Sequence, residues 1–259
     1  AHSFPTRRSS DLSCPGKRMS LKKTKHAVGR AIHDYAMIRE NDRVLLAVSG
    51  GMDSMVLLNL LSILKTRAPV RFSILPVYID PGFENSFAEE LEAYVKETFG
   101  DIRIESTDFG VYAHTEANTE NPCFLCSRLR RKRLFEIAKE EGCSRIALGH
   151  HKDDIIETLF MNILYSGRIG TMKPSQPFFE DTFRIIRPLC YLEKDEISRF
   201  HADRELPEFR HSCPSEPSSK RRRVRRLLNE LYEESSHIKG NIFSAMGNVS
   251  DQYLLEHTL

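Results

Sequence analysis

The stretch RVLLAVSGGMDS, Arg43 to Ser54, decides the fold. A short run rich in β-branched and aliphatic residues, Arg43 to Ser49, stops at Gly50-Gly51. The residues that follow, Asp53 to Lys65, carry a nearly continuous leucine face. That order reads as strand, tight turn and helix. Two glycines let the backbone turn with its N–H groups converging, and Ser49 and Ser54 add hydroxyls. The helix that follows presents its positive dipole end to the same point, making a pocket for phosphate or pyrophosphate. Asp53 would repel a phosphate directly, so its role is through Mg²⁺ or in capping the helix. An ordinary strand-to-helix turn with a plain N-cap is the competing reading. The Walker pattern GxxxxGK followed by Ser or Thr is absent.

Outward from this turn, strands and helices alternate. Leu21 to Arg39 has apolar residues at helical spacing (Val28, Ile32, Tyr35, Ala36). Strands are expected at Phe72 to Ile79, Ile102 to Thr107, Arg145 to Leu148 and Phe183 to Ile186. Helices are expected at Ser86 to Phe99, Arg128 to Glu141, Asp154 to Leu164 and Lys194 to Arg204. The alternation implies an α/β fold, a mostly parallel sheet with helices on both faces. Such sheets bind ligands beyond the carboxyl ends of their strands. Tyr78-Ile79-Asp80-Pro81-Gly82-Phe83, Gly149-His150-His151-Lys152-Asp153-Asp154 and Arg187-Pro188-Leu189 all fall at such ends. Asp153 and Asp154 either cap the next helix or hold Mg²⁺ against a nucleotide.

Composition narrows the class. The 259 residues are 40% hydrophobic and 29% charged with a formal net charge of +2, so global charge argues neither for nor against nucleic acid. No apolar run approaches the roughly 18 residues of a membrane span. The first stretch, AHSFPTRRSSDLSCPGKR, has no hydrophobic segment of the secretory kind. Residues 1–18 read as a disordered tail or a non-native scar, with Met19 as the native start and Cys14 discounted. Residues 19–40 form an N-terminal helix, 41–205 the nucleotide domain, and 206–259 a C-terminal segment that closes a metal site and binds RNA.

The six cysteines do not form a disulfide framework in a chain of this kind. Cys123-Phe124-Leu125-Cys126 is a C-x₂-C pair opening a helix, and Cys213 follows far downstream in His211-Ser212-Cys213-Pro214. Zinc, with His211 as fourth ligand, an iron–sulfur cluster on three cysteines, and a thioredoxin-like redox pair all fit that spacing. Cys143 and Cys190 lie beside apolar residues and read as core fillers. Basic residues cluster twice: Arg128, Arg130, Arg131, Lys132 and Arg133 follow the C-x₂-C pair, and Lys220, Arg221, Arg222, Arg223, Arg225 and Arg226 follow Cys213. Closing the cysteine site would bring both runs together, as a phosphate backbone requires, although either run alone is an ordinary solvated helix face.

The glycine loop resembles the SGGxDS loop of the N-type ATP pyrophosphatases. SGGMDS, PCFLCSRLRR, ALGHHKDD, IIRPL and FSAMGNV together, in that order, resemble the tRNA 2-thiocytidine synthetases over about Arg43 to the C-terminus. The resemblance implies the adenine nucleotide α-hydrolase-like fold and a 4Fe-4S cluster on Cys123, Cys126 and Cys213. It implies ATP bound by Ser49, Gly50, Gly51, Asp53, Ser54, Tyr78, Ile79, Gly149 and His150, with Mg²⁺ on Asp53, Asp153 and Asp154. Catalysis then falls to the three cysteines and these three aspartates. The substrate implied is cytidine 32 of a tRNA anticodon loop, held by Arg128, Arg130, Arg131 and Lys220 to Arg223. Other partners implied are a cysteine desulfurase or another sulfur donor; no membrane is involved, a homodimer is allowed, and the location is cytoplasmic. Two departures stand out: Met52 replaces the family's usual Lys, and Arg210 stands where the family often has another cysteine.

Chemically, attack of the C2 oxygen on the α-phosphorus expels pyrophosphate and turns an unreactive carbonyl oxygen into a good leaving group. Sulfur then replaces it. A 2-thiouridine synthetase, a lysidine-type or amide-forming ligase, and a zinc-stabilised nucleotide-binding module without catalysis remain as rivals. The cluster reading expects the three sulfurs within several ångströms of one another, beside Ser49 to Ser54.

Overall fold

The computed structural model describes residues 21–210, 213–214 and 219–255. Residues 1–18, Cys14, Met19 and His211 lie outside the described residues. The order is α1 (Leu21–Asp34), β1 (Asp42–Val48), α2 (Met52–Lys65), β2 (Phe72–Asp80), α3 (Ala88–Thr98), β3 (Arg103–Ser106), α4 (Phe109–Ala113) and α5 (Pro122–Glu140). It continues with β4 (Arg145–Ala147), α6 (Lys152–Ser166), β5 (Ser175–Phe178), β6 (Phe183–Ile186), α7 (Lys194–Asp203), α8 (Ser219–Glu234), α9 (Ile238–Ala245) and a 3₁₀ turn at Asp251–Tyr253.

One six-stranded sheet runs β3-β2-β1-β4-β6-β5. Every neighbouring pair is parallel except β5 with β6, which is antiparallel. The chain moves from β1 to β2 and β3 on one side, then returns to place β4 on the other side of β1. The strand order therefore reverses between β1 and β4, and a crevice opens there at the carboxyl edge. The Ser49–Ser54 turn leaves β1, and the Gly149–Asp154 segment leaves β4, at that same edge.

Packing follows from side-chain content. Val44, Leu46 and Val48 face one layer with Met55, Leu57, Leu58 and Leu61 of α2, all essentially buried. Leu45, Val77, Ile79, Ile146 and Ile185 face the other with Ile137 and Ala138 of α5. Each such aliphatic side chain withdrawn from water contributes roughly 1.5–3 kcal/mol, so α2 is held by its buried middle, Ser54 to Leu58 with Leu60 and Leu61. Cys143 and Cys190 sit inside these layers. A third cluster joins Ile156 of α6 to Val224 and Leu228 of α8.

Several elements differ from the sequence reading. The helix expected from Arg128 begins at Pro122, because Asn121 caps it by accepting from the Phe124 N–H at 3.2 Å and Pro122 needs no donor in the first turn. Strand β5 was not anticipated; four residues including Pro177 are too short and mixed to show a period. Helices α8 and α9 extend the fold beyond α7, and α8 docks on α6 rather than projecting into solvent.

Candidate active site at the sheet switch point

The turn after β1 is pinned from within. The Ser54 hydroxyl donates to the Gly51 carbonyl at 2.8 Å and accepts from the Ser49 N–H at 3.1 Å, and the Ser49 hydroxyl lies 3.1 Å from it. Ser54 thus shapes the loop with its own hydroxyl. Gly50 has φ +79°, and a Cβ there would stand 2.7 Å from the Phe87 ring and 2.9 Å from Phe209 Cβ. Its carbonyl accepts from the Phe209 N–H at 2.9 Å. Gly50 is therefore buried under aromatic side chains; Gly51, the N-cap of α2, stays open on its Cβ side apart from Ser49 Oγ at 3.6 Å.

The segment after β4 lies directly on this turn. A Cβ on Gly149 would meet the Asp53 carbonyl carbon at 3.1 Å and the Ser54 nitrogen at 3.2 Å. His151 closes a capping box with Asp154 at the start of α6, and the Asp154 carboxylate accepts from the His151 N–H at 3.1 Å. The two adjacent histidines respond oppositely to this setting. Burial, then the charge of Arg187, pushes His150 down to about 4, and its Nδ1 is buried without a hydrogen-bond partner among the described residues. Burial also disfavours charge on His151, but the carboxylates of Asp153, Asp154 and Asp53 outweigh it and raise that group.

Two cavities flank the crevice. One, of about 510 Å³, is lined by Ser49, Asp53, Ser54, Gly149, His150 and Asp154 on the sheet side, and by Cys123, Cys126, Arg130, Arg131, Cys213 and Arg221 opposite. Cys123 and Cys126 occupy the first turns of α5, and Cys213 arrives from the segment after α7. All three are free thiols; Cys126 is half-buried, the others exposed. Burial raises the Cys126 thiol, Arg130 opposes that, and both Cys213 and Cys123 reinforce it. Cys123 and Cys213 both lie near enough to Cys126 to act on it. Among the described residues, however, no three His, Cys, Asp or Glu side chains are gathered as a ligand set for one metal ion.

The proposed carboxylates divide. Asp53 and Asp154 line both cavities. Asp153 faces away from the cysteines: its carboxylate accepts from the Lys194 N–H at 2.8 Å and from Lys239 Nζ at 2.8 Å. Burial alone would raise it, but bonds from His151, Lys239 and the Lys194 backbone hold it well below the usual carboxylate range. Asp53, Asp153 and Asp154 all approach the His151 imidazole, at 3.9, 3.5 and 3.3 Å, and each also pairs with a further cation, Lys194, Lys239 and Arg221 respectively. The side chains of Tyr78 and Ile79 are likewise buried in opposite core layers, leaving their backbone at the strand end.

The basic residues also separate. Arg130 and Arg131 line the cysteine cavity. Arg221, expected among the RNA contacts, bonds Glu157 at 2.8 Å and Asp154 at 3.4 Å while lining the cysteine cavity. Arg225 adds 2.6 Å to the same buried Glu157. Arg128 is paired with Glu120, while Lys220, Arg222 and Arg223 point outward, Lys220 over the Tyr165 ring at 5.1 Å. Lys194 and Lys239, which touch the site carboxylates, carried no mark in the sequence beyond being lysines near helix starts.

A mostly parallel α/β sheet with a pinned glycine turn at its switch point, facing a cavity walled by cysteines, defines a nucleotide-binding α/β protein. Residues 21–231 match the PP-loop domain family, and the chain belongs to it. The tRNA-cytidine(32) 2-sulfurtransferase of Syntrophotalea carbinolica is 37% identical over 92% of this chain and 93% of its own length. The protein of the same name from Geobacter sulfurreducens is 37% identical over 91% and 93%. Among solved structures, the U34-tRNA thiolase NcsA from Methanococcus maripaludis with its 4Fe-4S cluster superposes with a TM-score of 0.75 at 24% identity, covering 92% of this chain and 81% of that one. An NH3-dependent NAD synthetase from Campylobacter jejuni shares the fold more distantly, with a TM-score of 0.51 at 14% identity over 93% of this chain and 99% of that one.

Proposed function

We propose that the protein is an ATP-dependent tRNA sulfurtransferase that converts a cytidine of the anticodon loop, position 32, to 2-thiocytidine. The single observation that carries this reading is the shared cavity: Ser49, Asp53 and Gly149 of the nucleotide edge face Cys123, Cys126 and Cys213 across one volume. The nearly full-length relatives named for this reaction support it.

The residues suit the chemistry in turn. The open amides at the start of α2 and the flat Gly149 turn accept the nucleotide phosphates. Asp53 and Asp154, on the wall shared by both cavities, are the carboxylates placed to hold its Mg²⁺. The C2 oxygen of the base bonds to the α-phosphorus, and the bond from phosphorus to the bridging oxygen of pyrophosphate breaks, its electron pair leaving with pyrophosphate. A hydrosulfide-level sulfur then adds at C2, and AMP departs with the former carbonyl oxygen. Three free thiols on one wall, without a fourth protein ligand among the described residues, fit a 4Fe-4S cluster held by Cys123, Cys126 and Cys213. Such a cluster would supply the site at which sulfur is presented. Arg130 and Arg131 are positioned for the phosphates flanking a splayed base, and Lys220, Arg222 and Arg223 for the rest of the loop. The sulfur donor is a cysteine desulfurase or an equivalent carrier, and the enzyme works in the cytoplasm; no described helix is long and apolar enough to cross a membrane.

The test is anaerobic purification with optical and Mössbauer spectra of wild type and Cys213→Ser. Cluster bands in the wild type, lost or altered in the variant together with thiolation, uphold the proposal. A stoichiometric zinc content with no iron overturns it.

A further inference from the structure

The second cavity of the crevice, about 580 Å³ among α6, α7, α8 and α9, is rich in carboxylates and belongs to the site already described. A third cavity, of about 550 Å³, has no part in that site. It opens between α1, the start of α6, the stretch leading into β5, and α9. Its volume falls within the roughly 300–1,000 Å³ of small-ligand pockets. On α6 it is lined by Lys152 and Ile155, whereas Asp154 lines the crevice. At about 100° per residue, Lys152 and Asp154 lie on opposite sides of that helix. The pocket therefore backs onto the active site across one helix diameter, about 10–12 Å.

The lining joins flat apolar surface to positive charge. Tyr35, Tyr191 and Phe243 form a ladder, their ring centres 5.8 Å apart in the first pair and 6.1 Å in the second. The Arg30 guanidinium lies 4.7 Å from the centre of the Tyr191 ring, and Lys152 Nζ 5.8 Å from that of Phe243. Lys173 is the third cation, and no Asp or Glu is among the lining residues. Two carboxylates stand behind the wall. Asp34 accepts from the Tyr191 hydroxyl at 2.9 Å and feels the charge of Arg30, and Glu193 pairs with Lys152 at 3.0 Å. The exposed Lys173 side chain has no carboxylate partner among the described residues. The segment Phe243 to Val249, which adenylation and sulfur transfer leave without a role, supplies Phe243, Ser244, Met246 and Gly247 to the same wall.

We propose that this pocket receives an unpaired nucleotide of the tRNA substrate, turned out of its stack a few positions from the target base. The inference rests on the tRNA reading above. Aromatic rings and guanidinium planes are what a splayed base stacks on, whatever its identity, and cations beside them take the flanking phosphates. A basic patch alone suits any polyanion; the ring ladder beside it singles out nucleic acid. A single strand rises at least about 3.4 Å per nucleotide, so about three or four nucleotides cross the helix between this pocket and the cysteine cavity. Helix α1 continues the positive surface, carrying Lys22, Lys23, Lys25 and Arg30 against Asp34 alone.

The competing views are a protein sulfur donor docked in the same pocket, or rings that serve only as a seam between α1 and α9. The holoenzyme, the double variant Arg30→Gln with Lys173→Gln, and Phe243→Leu are titrated with a tRNA transcript at several salt concentrations. Tyr35→Leu is a second ring variant, used if Phe243→Leu lowers the unfolding midpoint. The proposal expects the double variant to bind tRNA about tenfold or more weakly, with a log–log salt slope reduced by about 1.4 for two single-strand phosphates. The ring variants should lose about fivefold or more with the slope unchanged, because stacking releases no counterions. ATP affinity and the cluster spectrum should match wild type throughout. Wild-type tRNA affinity in the double variant, or in a folded ring variant, overturns the proposal. Unchanged tRNA binding, with thiolation lost from a cysteine desulfurase but kept from free sulfide, assigns the pocket to a protein donor and overturns it too. A wild-type holoenzyme that binds ATP but no tRNA removes the tRNA reading itself, a separate failure.

Discussion

Gly149 presses its Cα against the backbone of Asp53, leaving 3.1 Å between the Asp53 carbonyl carbon and any Cβ placed there. This contact joins the two loops that leave β1 and β4, and it sets the depth of the crevice between them. A side chain at 149 has to push the loops apart or bend away into the nucleotide space. Gly149→Val is expected to raise the KM for ATP by about tenfold or more, equivalent to about 1.4 kcal/mol of binding, while the iron–sulfur spectrum stays unchanged. Initial rates of pyrophosphate release at varied ATP check this.

Asp53 projects from the first turn of α2 onto the wall common to both cavities. Asp53→Ala is expected to abolish conversion of ATP to AMP and leave the cluster spectrum intact, because nucleotide and cysteine ligands are separate residues. Pyrophosphate release at the wild-type rate in this variant would refute the assigned role.

Glu157 is buried on α6 and receives both Arg221 and Arg225 from α8. Glu157→Ala leaves two guanidinium groups without their acceptor at that seam. It is expected to cost about 2 kcal/mol, somewhat less than a fully enclosed pair because Arg225 remains solvent-accessible. The observable is a lower midpoint of thermal unfolding and earlier proteolytic cutting within residues 219–234. Glu157→Gln should give a smaller loss.

Lys220, Arg222 and Arg223 point to solvent on the helix whose other face carries these ion pairs. Neutralising those three while keeping Arg221 is expected to weaken tRNA binding and flatten its salt dependence. Each lost phosphate contact lowers the log–log slope by about 0.7–0.9. A salt titration that gives the same slope for both proteins would show an ordinary solvated face.

The sequence was most legible where periodicity and special residues coincide. RVLLAVSGG contains an uninterrupted apolar run, two glycines and a following leucine face, and each level of reading gives the same strand, turn and helix. The three cysteines and the glycine turn were readable as separate motifs, and their common cavity follows from the strand order that returns β4 beside β1. Less could be read where identity depends on a distant contact. Nothing local distinguishes Lys194 or Lys239 from other surface lysines; their significance comes from Asp53 and Asp153, many residues away. Arg221 reads like its neighbours in a basic run, and only the fold shows that it pairs with Glu157. At Gly50 the sequence shows a turn glycine, but not that Phe87 and Phe209 fill the space a Cβ would need, since only the folded chain brings those rings together. The start of α5 is legible in the sequence as Asn121-Pro122, a capping residue followed by proline, directly ahead of the cysteine pair that opens the helix.

The most direct test of the central claim is nucleoside mass spectrometry of tRNA incubated anaerobically with the cluster-loaded enzyme, MgATP and a sulfide source. The account predicts 2-thiocytidine at position 32, formed with one AMP per thiolated base and absent when ATP is omitted. Accumulation of 2-thiouridine, or AMP formation with no sulfur in the RNA, would contradict it.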